Sequence, residues 1–205
     1  MIENMLILIS QGMNLVFQII LFGIIPFGWY IISRKTSRGF FKYIGIQNPK
    51  NKAYSKAFKI TALAYIFSMI VIIILEIVQG GMTSNSFANT YDKGFLIYSS
   101  SLLLFGLQTG VSEEIFFRGF LGKRLIQKYG FLKGNILQTI IFICPHIMTF
   151  GKASFLEFIL GMINAGIMGF AFGYIMDKKS EGSIIPVIIC HAIVNIISSI
   201  IVNTL

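Results

Sequence analysis

Charge is what this sequence has least of. Only 12% of its 205 residues are Asp, Glu, Lys or Arg, against 55% hydrophobic, and the mean hydropathy is +0.78. A soluble domain of that length needs a charged skin, and this chain has too little charge to make one. Acids are scarcest: eight Asp and Glu face 17 Lys and Arg, for a net charge of +9. The only two cysteines, Cys144 and Cys190, both fall in apolar segments, which argues against a disulfide framework. No low-complexity tract, second soluble domain or convincing internal repeat is present. The first apolar run is long and follows acidic Glu3, not a basic segment, so no cleavable signal peptide is expected. These absences leave a single integral membrane domain over residues 1–205.

Apolar runs of about 20 residues, the length that crosses a hydrocarbon core, recur along the chain. The expected fold is an all-α polytopic membrane protein, a bundle of about six transmembrane helices. The spans read as Met5–Ile32, Ile60–Val78, Phe95–Phe117, Gly134–Phe150, Phe155–Ile175 and Ser183–Val202. The segment after the first span carries Arg34, Lys35, Arg38, Lys42, Lys50, Lys52, Lys56 and Lys59 with no acid. The one after the third carries Arg118, Lys123, Arg124, Lys128 and Lys133, again with no acid. The positive-inside rule puts both in the cytoplasm and both termini outside. The outer loops are charge-balanced, Asp92 with Lys93 and Lys152 with Glu157, and the link from Asp177 to Glu181 returns inside. The excess positive charge is therefore juxtamembrane and meets anionic lipid headgroups, so membrane lipids are the expected partners and nucleic acid is not.

Gly161, Ala165, Gly169 and Gly173 stand at strict i+4 spacing in the fifth span and form one helical ridge. Such a ridge lets a neighbouring backbone approach closely, which speaks of packing and not of chemistry.

A charged side chain at mid-membrane costs about 2.5–3.5 kcal/mol on insertion scales and usually faces an interior or a watery cavity. The candidates are Glu76, Glu113, Glu114, His146, His191 and Asn195, and both histidines of the chain are among them. Glu114 and Arg118 are four apart on a helix, so they share a face and can pair. Glu113 is turned about 100° away and points elsewhere. The bland reading is an interfacial Glu114–Arg118 pair beside a second, solvated acid; it suits Glu114 better than Glu113. His191 and Asn195 also share a face, and alone they read as interhelical hydrogen-bonding glue, worth about 0.6 kcal/mol. His146 follows Pro145, which kinks a helix and frees a carbonyl. Glu76, near the outer end of its span, is assigned no role. Together, an acid, two imidazoles and an amide on three spans are the parts needed to activate water and hold an oxyanion. The same residues could instead hold a metal.

Three ordered motifs carry a resemblance. Residues 113–118, "EEIFFR", fit EExxxR; Phe142–His146, "FICPH", fit FxxxH; His191–Asn195, "HAIVN", fit HxxxN. Over roughly residues 95–202 the chain resembles the CPBP family of intramembrane proteases, which includes type II CAAX prenyl proteases and bacteriocin-processing or immunity proteins. The resemblance implies a catalytic core there, with a cytosol-facing site inside the membrane. It implies that Glu113 deprotonates the attacking water, that His146 positions it, and that His191 and Asn195 stabilise the oxyanion. Glu114, Arg118 and Phe142 would be supporting residues. No cofactor is expected. A catalytic zinc on Glu113, His146 and His191 stays open as the alternative, since three protein ligands and one open position make such a site. The HExxH signature is absent. Cys144 and Cys190 do not share a helical face with the neighbouring histidines.

The expected function is an intramembrane endopeptidase acting by glutamate-activated water on a membrane-associated peptide or protein tail. The competing readings are a non-catalytic bacteriocin self-immunity or scaffold protein of the same fold, and a small proton-coupled transporter. The composition, rich in Ile, Lys and Asn, looks bacterial, which favours leader-peptide, pheromone or bacteriocin processing over a prenylated substrate.

Overall fold

In a computed structural model of the protein, the described residues are 2–49, 52–79, 90, 93–149 and 154–204. Lys50, Asp92 and Lys152, with the side chains of Glu76 and Glu157, lie outside them. Among the described residues no strand occurs, and the chain is an all-α membrane protein. Its helices are α1 (Ile2–Arg34), α2 (Phe40–Tyr43), α3 (Ala53–Gln79), α4 (Phe95–Glu113), α5 (Lys123–Tyr129), α6 (Phe131–Ile143), α7 (Phe155–Tyr174) and α8 (Ile185–Thr204). A π-helical segment, Glu114–Gly122, joins α4 to α5, and another, Ile175–Lys179, extends α7. Among the described residues, three helical stretches are long and apolar enough to cross a membrane: 2–34, 95–129 and 158–179. Two shorter apolar ones cover 131–147 and 185–201.

Each expected span overlaps a helix; the second starts earlier, at Ala53 instead of Ile60, so that Lys56 and Lys59 lie on it, and two others differ further. The third does not stop at Phe117 but continues to Tyr129, where Gly130 at φ +78° breaks it. The fourth leaves α geometry at Ile143 and tightens into a 3₁₀ turn over Cys144–Thr149. Pro145 has no N–H to continue the ladder, and its ring crowds the preceding turn.

Close approaches at small residues set the packing. Helices α1 and α4 run parallel: Lys93 reaches Glu3 at 2.8 Å at one end, and Gln108 bonds Gln18 farther along. Against α4 lies α8, and the contact is made by Gly106 and Gly110. A Cβ on Gly106 would stand 2.8 Å from the Ala192 carbonyl oxygen, and one on Gly110 would stand 3.0 Å from the Ala192 nitrogen. This pair, not the α7 ridge, brings the last helix onto the two acids. The ridge itself divides. Gly169 and Gly173 pack on Phe142 and Asn135 of α6, whereas a Cβ on Gly161 would meet nothing within 4 Å. At the basic end, residues 40–47 dock beneath α8. Ile184 N–H donates to the Gly45 carbonyl at 2.9 Å, Ser183 Oγ donates to the Gln47 carbonyl at 2.6 Å, and Gly119 leaves room for Ile44.

Overpacking a close contact costs about 1–3 kcal/mol. Gly106→Ala is expected to lower unfolding stability by that amount, while Gly161→Ala leaves it within about 0.5 kcal/mol. Denaturant titration of the two variants in one detergent checks the contrast.

Candidate active site

The two acids part company at a change of helix geometry. Glu113 is the last residue of α4, and Glu114 opens the π-helical segment, whose wider turn is a feature frequent at functional sites. The Glu114 carboxylate turns inward. Arg118 Nη1 donates to its Oε1 at 2.8 Å, and both side chains are fully buried. The pairing expected from the spacing is present, but in the core and not at the interface. The guanidinium lies over the Phe142 ring at 4.0 Å and the Phe172 ring at 5.3 Å, and Nη2 donates to the Gly169 carbonyl at 3.3 Å. Phe142, the first residue of FxxxH, thus serves as a stacking surface for the arginine.

The same Glu114 oxygen has a second partner. His191 Nδ1 lies 2.7 Å from it, and the ring packs against Phe172 with centroids 5.1 Å apart. A carboxylate opposite a guanidinium is an acceptor, so Nδ1–H donates and the other ring nitrogen is left to act elsewhere. That nitrogen, Nε2, faces Glu113, with 3.9 Å to Oε2. Glu113 is 22% exposed, where Glu114 is sealed. One turn further along α8, Asn195 donates through Nδ2 to Thr109 Oγ1 at 2.7 Å. An amide nitrogen carries two hydrogens, so one remains for another acceptor. His146 sits on the 3₁₀ turn, its ring 5.7 Å from Phe142.

Glu113, Phe142, His146, His191 and Asn195 line one cavity of about 690 Å³. Glu114 and Arg118 stand behind its wall. The rest of the lining includes residues that the sequence reading passed over. Gln11, Asn14 and Gln18 of α1 are spaced three and four apart, so one helical face brings three amides to the cavity. Gln108 and Asn164 add two more. The period-3.6 recurrence of amides within an apolar helix was the signal that could have found the α1 face. Along α4 the cavity lies on the N-terminal side of Glu113, and the basic residues from Lys123 onward lie on the other.

Among the described residues, no three His, Cys, Asp or Glu side chains come together as a group that could hold a metal ion. Glu113, His146 and His191 all line the cavity, and the contact of His191 Nδ1 with Glu114 leaves Nε2 directed toward Glu113. Both cysteines are free, Cys144 exposed and Cys190 buried.

Removing one partner of a buried ion pair strands the other, at a cost of about 3–5 kcal/mol. Arg118→Met is expected to lose that much unfolding stability, and Glu114→Gln added to it to restore part. A double-mutant cycle in detergent reads both values.

No curated protein and no solved structure matches the chain. A protein-family model does: type II CAAX prenyl endopeptidase Rce1-like, over residues 94–197, a little more than half of the sequence. That stretch holds all three motifs and every cavity residue named above except the α1 amides. The chain belongs to the Rce1-like family of type II CAAX prenyl endopeptidases.

Proposed function

We propose that this membrane protein hydrolyses a peptide bond within its cavity by a water molecule that Glu113 activates. Family membership supports a CAAX-type intramembrane endopeptidase in general. The observation that carries the finer reading is the division between the acids: Arg118 and His191 hold Glu114, while Glu113 alone of the two lines the cavity.

The chemistry follows from the placement. The Glu113 carboxylate takes a proton from water held between it and His146, and the hydroxide adds to the scissile carbonyl carbon. The negative charge that develops on the carbonyl oxygen is met by the remaining Asn195 amide hydrogen, with the His191 ring beside it. Glu113 then returns its proton to the amide nitrogen as the C–N bond breaks. No step requires a metal.

The uncharged amides of the walls suit an extended peptide. Within a membrane its backbone N–H and C=O groups need partners, and an amide side chain offers both a donor and an acceptor. Gln11 Oε1 is buried without a hydrogen-bond partner among the described residues, an acceptor open to such a chain. The substrate class is a membrane-associated peptide or protein tail, of the leader-peptide, pheromone or bacteriocin kind. The setting is a multi-pass protein of a bacterial cell membrane, with the basic segments in the cytoplasm.

At matched membrane levels, Glu113→Gln is expected to lower cleavage by about 10²–10⁴. Asn195→Ala is expected to lower kcat by about 10²–10³ with little change in KM. Comparison of peptides from cells carrying wild type or Glu113→Gln checks the first. Products that vanish identify the substrate, whereas unchanged profiles favour the non-catalytic immunity or scaffold role.

A further inference from the structure

A second cavity, of about 500 Å³, lies at the basic end, away from the catalytic residues. Trp29, Ser33 and Arg34 come from the end of α1, Tyr43 from α2, and Lys123, Arg124 and Gln127 from α5. Among the described residues, three cations line it and no acid does. None of the three makes a salt bridge to a carboxylate among the described residues.

Two of the cations are held in place by groups that leave their charge uncompensated. The Arg124 guanidinium lies between two rings, 4.1 Å from the Tyr43 centroid and 4.2 Å from the Phe120 centroid. Its Nη1 donates to the Phe120 and Gly119 carbonyls at 2.5 and 3.4 Å, while Nη2 and Nε have no acceptor among the described residues. Lys123 Nζ spends one hydrogen on the Gly182 carbonyl at 3.2 Å. The chain that follows the lining residue Tyr43 is fixed, because the bonds from Ile184 and Ser183 hold Gly45 and Gln47. A guanidinium fixed by stacking, with two donor positions still open, matches the paired oxygens of a phosphate.

We propose that this cleft binds the phosphate of an anionic glycerophospholipid headgroup. The aromatic and apolar surroundings favour a lipid over a free ion. Trp29 is 55% exposed, the position of a side chain at a membrane–water interface, and Ile25 and Ile32 of the same helix end are exposed beside it. Acyl chains lying on that apolar surface would bring their phosphate to Arg34, Lys123 and Arg124. Basic pockets between membrane helices on the cytoplasmic side are known to hold such headgroups. The site requires nothing of the catalytic reading and stands if that reading falls.

Trp29 is the only tryptophan in the chain, so its emission reports the cleft directly. The full-length protein in neutral detergent is titrated with phosphatidylglycerol brominated on its acyl chains, with brominated phosphatidylcholine, and with inorganic phosphate. Saturable quenching by phosphatidylglycerol, at least tenfold tighter than by phosphatidylcholine, is expected. Each basic residue removed should weaken it about fivefold, so Arg34→Gln with Lys123→Gln should lose about 25-fold. Lys42→Gln with Lys128→Gln changes net charge equally outside the cleft and should stay within about twofold. Should the first double variant fail to fold, Arg34→Gln alone carries the test, since the Arg34 side chain is exposed and makes no hydrogen bond among the described residues. Displacement of the lipid by millimolar inorganic phosphate would keep the phosphate site but give it a soluble occupant. Equal quenching by both lipids, or equal loss in both double variants, would overturn the proposal.

Discussion

A single carboxylate oxygen, Oε1 of Glu114, accepts from Arg118 at 2.8 Å and from His191 at 2.7 Å, and the rest of the site is arranged around that shared acceptor. The arginine brings α7 and α6 with it through the Gly169 carbonyl and the Phe142 and Phe172 rings. The histidine brings α8. Four helical segments therefore meet at one buried ion pair, in surroundings where an unpaired charge is costly enough to make the arrangement all-or-none. A pair of this kind is weak support for stability compared with apolar packing. Its use here is to orient: it turns the remaining ring nitrogen of His191 toward Glu113.

Glycine makes the orientation reachable. Hydrogen bonds of 2.7 Å between α4 and α8 require backbones closer than ordinary side chains allow. Gly106 and Gly110 remove the obstacle opposite Ala192, the residue next to His191. Asn195 then falls opposite Thr109, one turn along both helices. The catalytic reading and the packing are thus one arrangement. A residue added at Gly106 would move the imidazole and the amide together, without touching either.

Much of this was legible in the sequence, and the reasons are local. The i,i+4 spacing of Glu114 and Arg118 implied their pairing and the freedom of Glu113, because helical geometry alone decides which side chains share a face. The helices could be read from apolar runs, and the break at Pro145 from the missing N–H. Burial of the Glu114–Arg118 pair could not be read, since it depends on Phe142 and Phe172 closing over the guanidinium from two other helices. The His191–Glu114 contact spans 77 residues, and no periodicity within either helix announces it. Gly106 and Gly110 have the same spacing as the small-residue ridge of α7, and spacing alone does not say which pair meets a neighbouring backbone. The amides of α1 were hidden by the hydropathy that surrounds them.

The central claim is that Glu114 holds His191 through Nδ1 and leaves Nε2 to the cavity. The chain has only two histidines, so ¹⁵N spectra of imidazole-labelled protein in lipid nanodiscs can be assigned by removing either one. The account predicts a protonated Nδ1 on His191 with a strongly deshielded proton, a signature that Glu114→Ala abolishes and Glu113→Gln leaves in place. An unprotonated Nδ1, or a signal indifferent to Glu114→Ala, would contradict it.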